Sequence, residues 1–163
     1  MYKSKKTYTT KKEWSVAQLL NLMAKYCSTA EHCESEVREK LQKYEAKVEA
    51  IDLIVDYLRE ENYINDKRYC EAYMHDKVLY QGWGKKKIQL MLHQKQLPEK
   101  EINAALQSFD ATQYNQVLSD LIAKKQAQCT GSDFEIKAQI TRFCLQRGFL
   151  YEEIVKILNA DLQ

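Results

Sequence analysis

The chain has 163 residues, 45% of them hydrophobic and 29% charged, which excludes a disordered chain and suits one domain or a row of small repeated units. Four glycines and one proline are too few for the turns of a sheet protein, so an all-α fold is predicted. No apolar run approaches the roughly 20 residues of a membrane span, and the chain opens without an apolar signal core. We therefore expect a cytoplasmic protein without a membrane segment, whose five cysteines, lacking any CxxC pair, stay free.

Helical spacing of apolar residues, together with helix-start signals, predicts nine helices. Thr10 with Glu13 and Ser132 with Glu135 have the form of capping boxes, and Pro98 suits the first position of a helix. The predicted helices lie near residues 13–27, 35–45, 48–61, 66–80, 85–95, 98–108, 111–127, 133–147 and 150–161. Taken in order, they fall into three groups of three.

The three groups share one apolar pattern. Five apolar residues at spacings of 4, 5, 5 and 4 begin at Ile88, and the pattern recurs 52 residues later from Ile140 and 51 residues earlier from Val37. Units of this kind bury their apolar faces against neighbouring units, so the pattern predicts an elongated, curved array of three tandem three-helix repeats, each similar to a helix-turn-helix unit. The predicted divisions are a basic N-terminal tail over 1–12, expected to be mobile, and repeats over 13–64, 65–109 and 110–163.

A net charge of +2 hides an uneven distribution of charge along the chain. Residues 1–12 carry five lysines and no acid, residues 31–61 carry ten acids against five basic residues, and residues 77–97 carry five lysines and no acid. Blocks of one sign indicate that one face meets a polyanion while another face is acidic. For any single block, chance clustering on a solvated surface remains the alternative.

The sequence contains no recognisable catalytic or cofactor-binding constellation. Gly82-Trp83-Gly84 lacks the third glycine of a dinucleotide-binding turn and follows a helix rather than a strand, and the chain has no Walker A loop. The three histidines are scattered, and the cysteines near His32 have no second pair at zinc-ligand spacing. We expect a protein that is not an enzyme and needs neither cofactor nor metal.

Basic helices in two successive repeats are the candidate binding surface. A corner at Gly82 and Gly84 is predicted to turn the chain into a helix that opens with three lysines. The corresponding helix of the third repeat is also basic, whereas that of the first repeat is mostly acidic. Two basic helices in equivalent places suit a surface that follows phosphates. The predicted filament- or DNA-binding residues are Lys85, Lys86, Lys87, Lys95, Lys137, Arg142, Arg147 and Trp83.

Two features of the corner allow more than one interpretation. Trp83 either packs across the corner or offers a stacking platform for an unpaired base. Gly148 is interpreted as the counterpart of the corner glycines, shifted by one repeat. Under that interpretation the lysine triplet is half of a repeated surface.

The run LREENYINDKRYCEAY from Leu58 to Tyr73, followed by the Gly82–Ile88 corner, resembles the signature of the RecX recombination regulators. Three positions depart from the usual pattern: Asn62 replaces a common glycine, Cys70 a common alanine, and Glu45 a glycine frequent in the first repeat. The resemblance implies a non-enzymatic regulator that binds the RecA recombinase assembled on single-stranded DNA. Such a protein lies along the groove of the filament, restrains filament growth and inhibits strand exchange and ATP hydrolysis by RecA.

Two other functions stay open at this point. A helix-turn-helix regulator would bind duplex DNA sequence-selectively without RecA. A helical-repeat scaffold would bind a protein segment and would be insensitive to DNA. The resemblance favours RecA as the partner, with single-stranded DNA contacted through the filament or weakly on its own, and a monomeric chain.

Overall fold

The computed structural model describes residues 13–160, and over this range it contains nine α-helices and no strand. The helices are α1 (Val16–Thr29), α2 (Glu34–Lys43), α3 (Val48–Glu60), α4 (Asp66–Leu79), α5 (Lys85–Gln94), α6 (Glu99–Ser108), α7 (Ala111–Gln126), α8 (Asp133–Gln146) and α9 (Tyr151–Ala160). The all-α prediction is confirmed. The basic tail predicted over 1–12 lies outside the described residues.

Helix starts follow local capping chemistry. The Ser132–Glu135 capping box is present as predicted, with each side chain accepting from the other residue's backbone N–H. The first helix begins at Val16 rather than near 13, because Ser15 caps it in a box with Gln18. Thr10, the predicted cap, lies outside the described residues. Pro98 directly precedes α6 rather than forming its first residue.

The second and third helices of each group are joined by the same corner. Glu45, Gln96 and Gly148 follow the ends of α2, α5 and α8 and have positive φ values of 58°, 62° and 88°. In each corner the next backbone N–H donates to a carbonyl five residues back, as in a Schellman motif. The repeat counterpart of Gly148 is therefore Gln96, and its interpretation as the counterpart of Gly82 and Gly84 is wrong.

The apolar residues form two separate cores. The first is built within α1–α3, from residues such as Met23, Leu41 and Ile54. The second runs without a break through α4–α9. Helix packing agrees with this division, since α4 packs against α5, α6 and also α7. The array thus consists of a first repeat with its own core and a second and third repeat that share one.

All five cysteines, which lie in the described range, are free thiols, and four of them are buried. Burial raises the pKa of Cys27 to about 11, that of Cys70 to about 12 and that of Cys144 to about 11, so these thiols are poor nucleophiles at neutral pH. Within residues 13–160, none of the helices is both long and apolar enough to cross a membrane.

Candidate binding surface at the junction of the second and third repeats

The corner between α4 and α5 is a tight turn held by its own backbone. Gly82 adopts a positive φ of 60°, and its N–H donates to the carbonyl of Val78 at 3.1 Å. The N–H of Trp83 donates to the carbonyl of Lys77 at 2.9 Å. Gly84 is the N-cap residue of α5, so the lysine triplet forms the first three residues of that helix, as the sequence predicts.

This corner meets the α8–α9 corner of the third repeat through backbone contacts. The N–H of Gly84 donates to the carbonyl of Arg147 at 2.8 Å, and the N–H of Lys86 donates to the carbonyl of Gly148 at 3.1 Å. A Cβ atom at Gly84 would lie 2.3 Å from the carbonyl carbon of Gly148. Although Gly84 and Gly148 are not repeat counterparts, they are neighbours in space. The missing side chain of Gly84 leaves room for the backbone of Gly148, and that of Gly148 leaves room for Lys87.

The first N–H groups of α5 are satisfied inside the protein. Besides the two bonds to the α8–α9 corner, the N–H of Lys85 donates to the hydroxyl of Tyr114 at 3.0 Å. A helix N-terminus binds phosphate through such groups only when they are free. Any anion here must therefore be bound by the lysine side chains, and the glycine corner is not a phosphate-binding loop.

Beside the corner lies a basic cleft that we call the aromatic cleft, a space of about 480 Å³. The Nζ atom of Lys87 lies 4.2 Å from the centre of the Trp83 ring, and that of Lys77 lies 5.2 Å from it. On the other side, the guanidinium of Arg147 lies 4.6 Å from the centre of the Phe143 ring. It also donates to the carbonyl of Gln81 at 2.9 Å, which holds it across the junction.

Lys137 and Arg142 lie on the outer face of α8, next to exposed apolar side chains. Two adjoining depressions share Leu145 and Tyr151, and together we call them the apolar groove. Its apolar lining includes Leu90, Phe134, Leu145, Leu150 and Tyr151. Lys86 and Lys87 border the same groove from α5. The basic residues of the two repeats therefore meet around one junction.

Lys95 lies apart from the other predicted binding residues. Its Nζ atom donates to Glu36 Oε1 of the first repeat at 2.6 Å, and both side chains are partly buried. Burial lowers the pKa of Lys95, but the hydrogen bond and charge of Glu36 outweigh it and raise that pKa. Lys95 thus joins the first repeat to the second, and we leave it out of the binding surface.

Several residues of this surface are not predicted by the sequence. Lys77, Phe143 and Tyr80, which is 75% exposed, take part in or line the aromatic cleft. Lys77 and Tyr80 lie at the end of α4 and Phe143 lies on α8, so only the packing of the two corners brings Phe143 to the other two. The unbroken basic block from Lys77 onward was a signal for the first of them. In the described residues no cluster of His, Cys, Asp or Glu could hold a metal ion.

Comparison with known proteins bears on the identity of this array. The family model for the second three-helix domain of RecX matches residues 65–106. The regulatory protein RecX of Clostridium acetobutylicum is 28% identical over 131 residues, which cover 77% of this chain and 60% of the relative. That of Escherichia coli strain SE11 is 24% identical over 161 residues, covering 93% and 96% of the two chains.

Solved structures agree with the sequence comparison. The crystal structure of RecX from Lactobacillus salivarius is 25% identical, superposes with a TM-score of 0.79, and covers 91% of this chain and 97% of that one. In sequence and in fold, the chain is therefore similar to RecX proteins. Its departures from the family signature fit the geometry, because Asn62 and Glu45, in places where glycine is common, both adopt positive φ values of 58°. Asparagine in particular tolerates that conformation.

The RecX proteins that the chain matches carry the name regulatory protein. The match to the Clostridium acetobutylicum RecX spans 60% of that relative. For a RecX protein of Yersinia pseudotuberculosis the share is 64%. The match to the family model covers most of the second repeat, where the aromatic cleft begins.

Proposed function

We propose that this chain is a non-enzymatic regulator that binds the RecA–single-stranded DNA filament along its groove and inhibits RecA ATPase activity, strand exchange and filament growth. The observation that carries the proposal is the basic aromatic cleft across the junction of the second and third repeats, in a chain that is similar to RecX proteins. We expect the protein to act as a cytoplasmic monomer without a cofactor. RecA is the partner that the family resemblance supplies.

The chemistry of the cleft suits a nucleoprotein filament. Lysine and arginine side chains attract the phosphate backbone without reading its sequence. Trp83 and Phe143 lie beside these cations, and aromatic rings of this kind can stack on unpaired bases. Because the second and third repeats share one core, the cations from α5 and α8 keep a fixed spacing. A rigid row of this kind suits a regularly repeating ligand.

The alternative of a duplex-reading helix-turn-helix protein fits this geometry less well. A recognition helix inserts its N-terminal residues into the major groove. Here the N-terminus of α5 is hydrogen-bonded to the α8–α9 corner and to Tyr114. A gel-shift series with duplex DNA and no RecA tests this alternative directly, and sequence-selective binding there would favour it.

The first prediction concerns the lysine triplet. The variant Lys85→Glu, Lys86→Glu, Lys87→Glu should bind the RecA filament more weakly and inhibit RecA ATPase less. Acidic residues suit the first turn of a helix, so α5 itself should not be weakened. If all three lysines contact phosphates, the slope of log affinity against log salt should become shallower by about 2, at roughly 0.7 for each contact with a single strand.

The control variant Lys25→Glu, Lys47→Glu, Lys100→Glu changes the net charge equally at exposed positions outside the cleft. It should retain inhibition and nearly the full salt slope. Full inhibition by the lysine-triplet variant would show that the site is assigned wrongly. An absence of any effect of the unaltered protein on RecA would instead refute the proposed function.

A further inference from the structure

The apolar groove is a surface that the proposed function does not use fully. It crosses the junction from α5 to α8 and the start of α9. Leu145 is 45% exposed and Tyr151 57% exposed, and Phe134 at the far end is 82% exposed. Lys86, Lys137 and Arg142 border it, and none of them has an ion pair within the described residues. Such a groove fits a helix that carries apolar residues among acids.

The outer face of α3 has that composition. Leu53 is 59% exposed and is surrounded at helical spacing by Glu49, Asp56 and Glu60. Tyr57, one turn further along, is also exposed. Within the part of the chain that the structure describes, these three acids form no ion pair. The face is apolar at its centre and acidic at its rim, whereas the groove is apolar with a basic rim.

We propose that the apolar groove of one copy of this chain binds the α3 face of a second copy, in a head-to-tail contact. The donor face lies on the first repeat and the groove on the second and third, so one chain carries both halves on separate parts of the array. A contact between two unlike surfaces leaves one surface free on each end copy, so further copies can add. The copies form an open row unless the rotation between successive copies closes a ring. The groove is not complementary to itself, because apart from Glu152 every charged residue that lines it is basic.

A single helix face in one groove belongs to the smallest specific interfaces, so the contact should be weak in dilute solution. This agrees with the monomer expected from the family resemblance. Copies held side by side on a repeating scaffold have a high effective concentration for one another, and a weak contact then becomes occupied. The contact would make binding of successive copies cooperative.

The test is a charge-swap experiment by sedimentation velocity on the isolated protein, without RecA and without DNA. The donor variant carries Glu49→Lys, Asp56→Lys and Glu60→Lys, and the groove variant carries Lys137→Glu and Arg142→Glu. Each alone should associate about tenfold more weakly than the unaltered chain, because like charges then meet. An equal mixture of the two should associate again, since every contact between unlike variants pairs opposite charges.

The control variant Glu13→Lys, Glu71→Lys, Asp120→Lys reverses three exposed acids elsewhere and should associate like the unaltered chain. Tyr151→Ala removes apolar area without changing charge and should also weaken association. The proposal is overturned if the unaltered chain stays monomeric at millimolar concentration, or if mixing the two variants fails to restore association. Neither outcome touches the proposed function, because the assay contains no filament and the α3 acids lie outside the proposed filament contacts.

Discussion

The two junctions between repeats are built differently. The second and third repeats share one apolar core, and their corners are joined by backbone hydrogen bonds from Gly84 and Lys86 to the α8–α9 corner. The first repeat has a separate core and meets the second through side chains. Cys33 packs into the second core, and polar side chains such as Arg68 and Lys95 join the two repeats around it.

Charged pairs join the first and second repeats. Arg68 pairs with Glu31 at 2.9 Å, and Lys95 pairs with Glu36 at 2.6 Å. The hydroxyl of Tyr69 donates to the same Glu36 carboxylate at 2.8 Å. Partly exposed ion pairs of this kind contribute far less than shared apolar burial. A buried oxygen of Glu31 also lacks a protein hydrogen-bond partner.

This difference indicates where the array opens first. A shared core and close backbone contact couple the second and third repeats into one cooperative unit. The polar junction should open at lower free energy, so the first repeat can separate while the rest stays folded. The aromatic cleft lies entirely on the rigid side, whereas the acidic α3 face lies on the side that can move.

The largest expected effect comes from filling the space between the two glycine backbones. In Gly84→Ala the new Cβ would lie 2.3 Å from backbone atoms of Gly148 and Phe149, which cannot rotate away as a side chain could. We expect a loss of about 2–4 kcal/mol in the free energy of unfolding, toward the upper range for overpacking. Urea denaturation followed by far-UV circular dichroism measures it.

Gly131→Ala is the matched control, because Gly131 lies in the corresponding corner of the third repeat. There a Cβ would meet only the side chain of Glu135, which can move, although the φ of 128° is unfavourable for alanine. We expect a loss of about 1–2 kcal/mol, which is the usual cost of backbone strain alone. Equal losses in the two variants would show that the close approach of the corners does not stabilise the junction.

The fold could be predicted largely because its signals are local. Apolar spacing and capping residues such as Ser132 fix helix positions without knowledge of the partner helices. Where a prediction failed, a second local signal competed, as when Ser15 rather than Thr10 marked the start of α1. The positive φ values at Glu45 and Gln96 could not be foreseen, since a helix end usually selects glycine there.

The site was less predictable, because charge in a sequence does not reveal its partner. Lys95 and Lys87 look alike in the sequence, yet one pairs with Glu36 across the first junction and the other lies over Trp83. Lys95 and Glu36 are 59 positions apart in the sequence, and their contact depends on how whole repeats pack. Gly148 shows the same limit, since its neighbour in space, Gly84, is not its counterpart in the repeat.

A smaller effect is expected at the polar junction. Glu36→Ala removes the acceptor shared by Lys95, Tyr69 and His32. The loss of hydrogen bonds to a charged group should weaken the junction by about 1–3 kcal/mol. The buried thiol of Cys33 reports opening there, and mass spectrometry can follow its alkylation.

Cys144, buried in the core that the second and third repeats share, is the internal control for that measurement. In Glu36→Ala we expect Cys33 to be alkylated faster, by about fivefold or more for a loss of at least 1 kcal/mol, while the rate at Cys144 stays unchanged. Equal acceleration at both thiols would mean that the array unfolds as one unit, contrary to the comparison of the junctions.

The smallest expected effect is a pH dependence of the same junction. Burial raises the pKa of Glu36, but hydrogen bonds from Lys95, His32 and Tyr69 outweigh it and hold the pKa below its usual value of 4.5. A carboxyl group whose pKa is lower in the folded state stabilises that state above pH 4.5, and the stabilisation is lost as the pH falls through the folded value.

In Trp83→Phe, the fluorescence of Trp14, which packs against the core of the first repeat, reports that repeat alone. The urea midpoint of the first repeat should fall as the pH is lowered from 6 toward and below 4.5. The fall should be smaller when Glu36→Gln is added, because glutamine has no carboxyl group to protonate. Glu34, held by Arg38 and Arg59, also has a lowered pKa and leaves some dependence in both proteins. If the two pH profiles are parallel, the Glu36 ion pair does not stabilise the junction. The first repeat and the rest of the array would then be stable independently of each other.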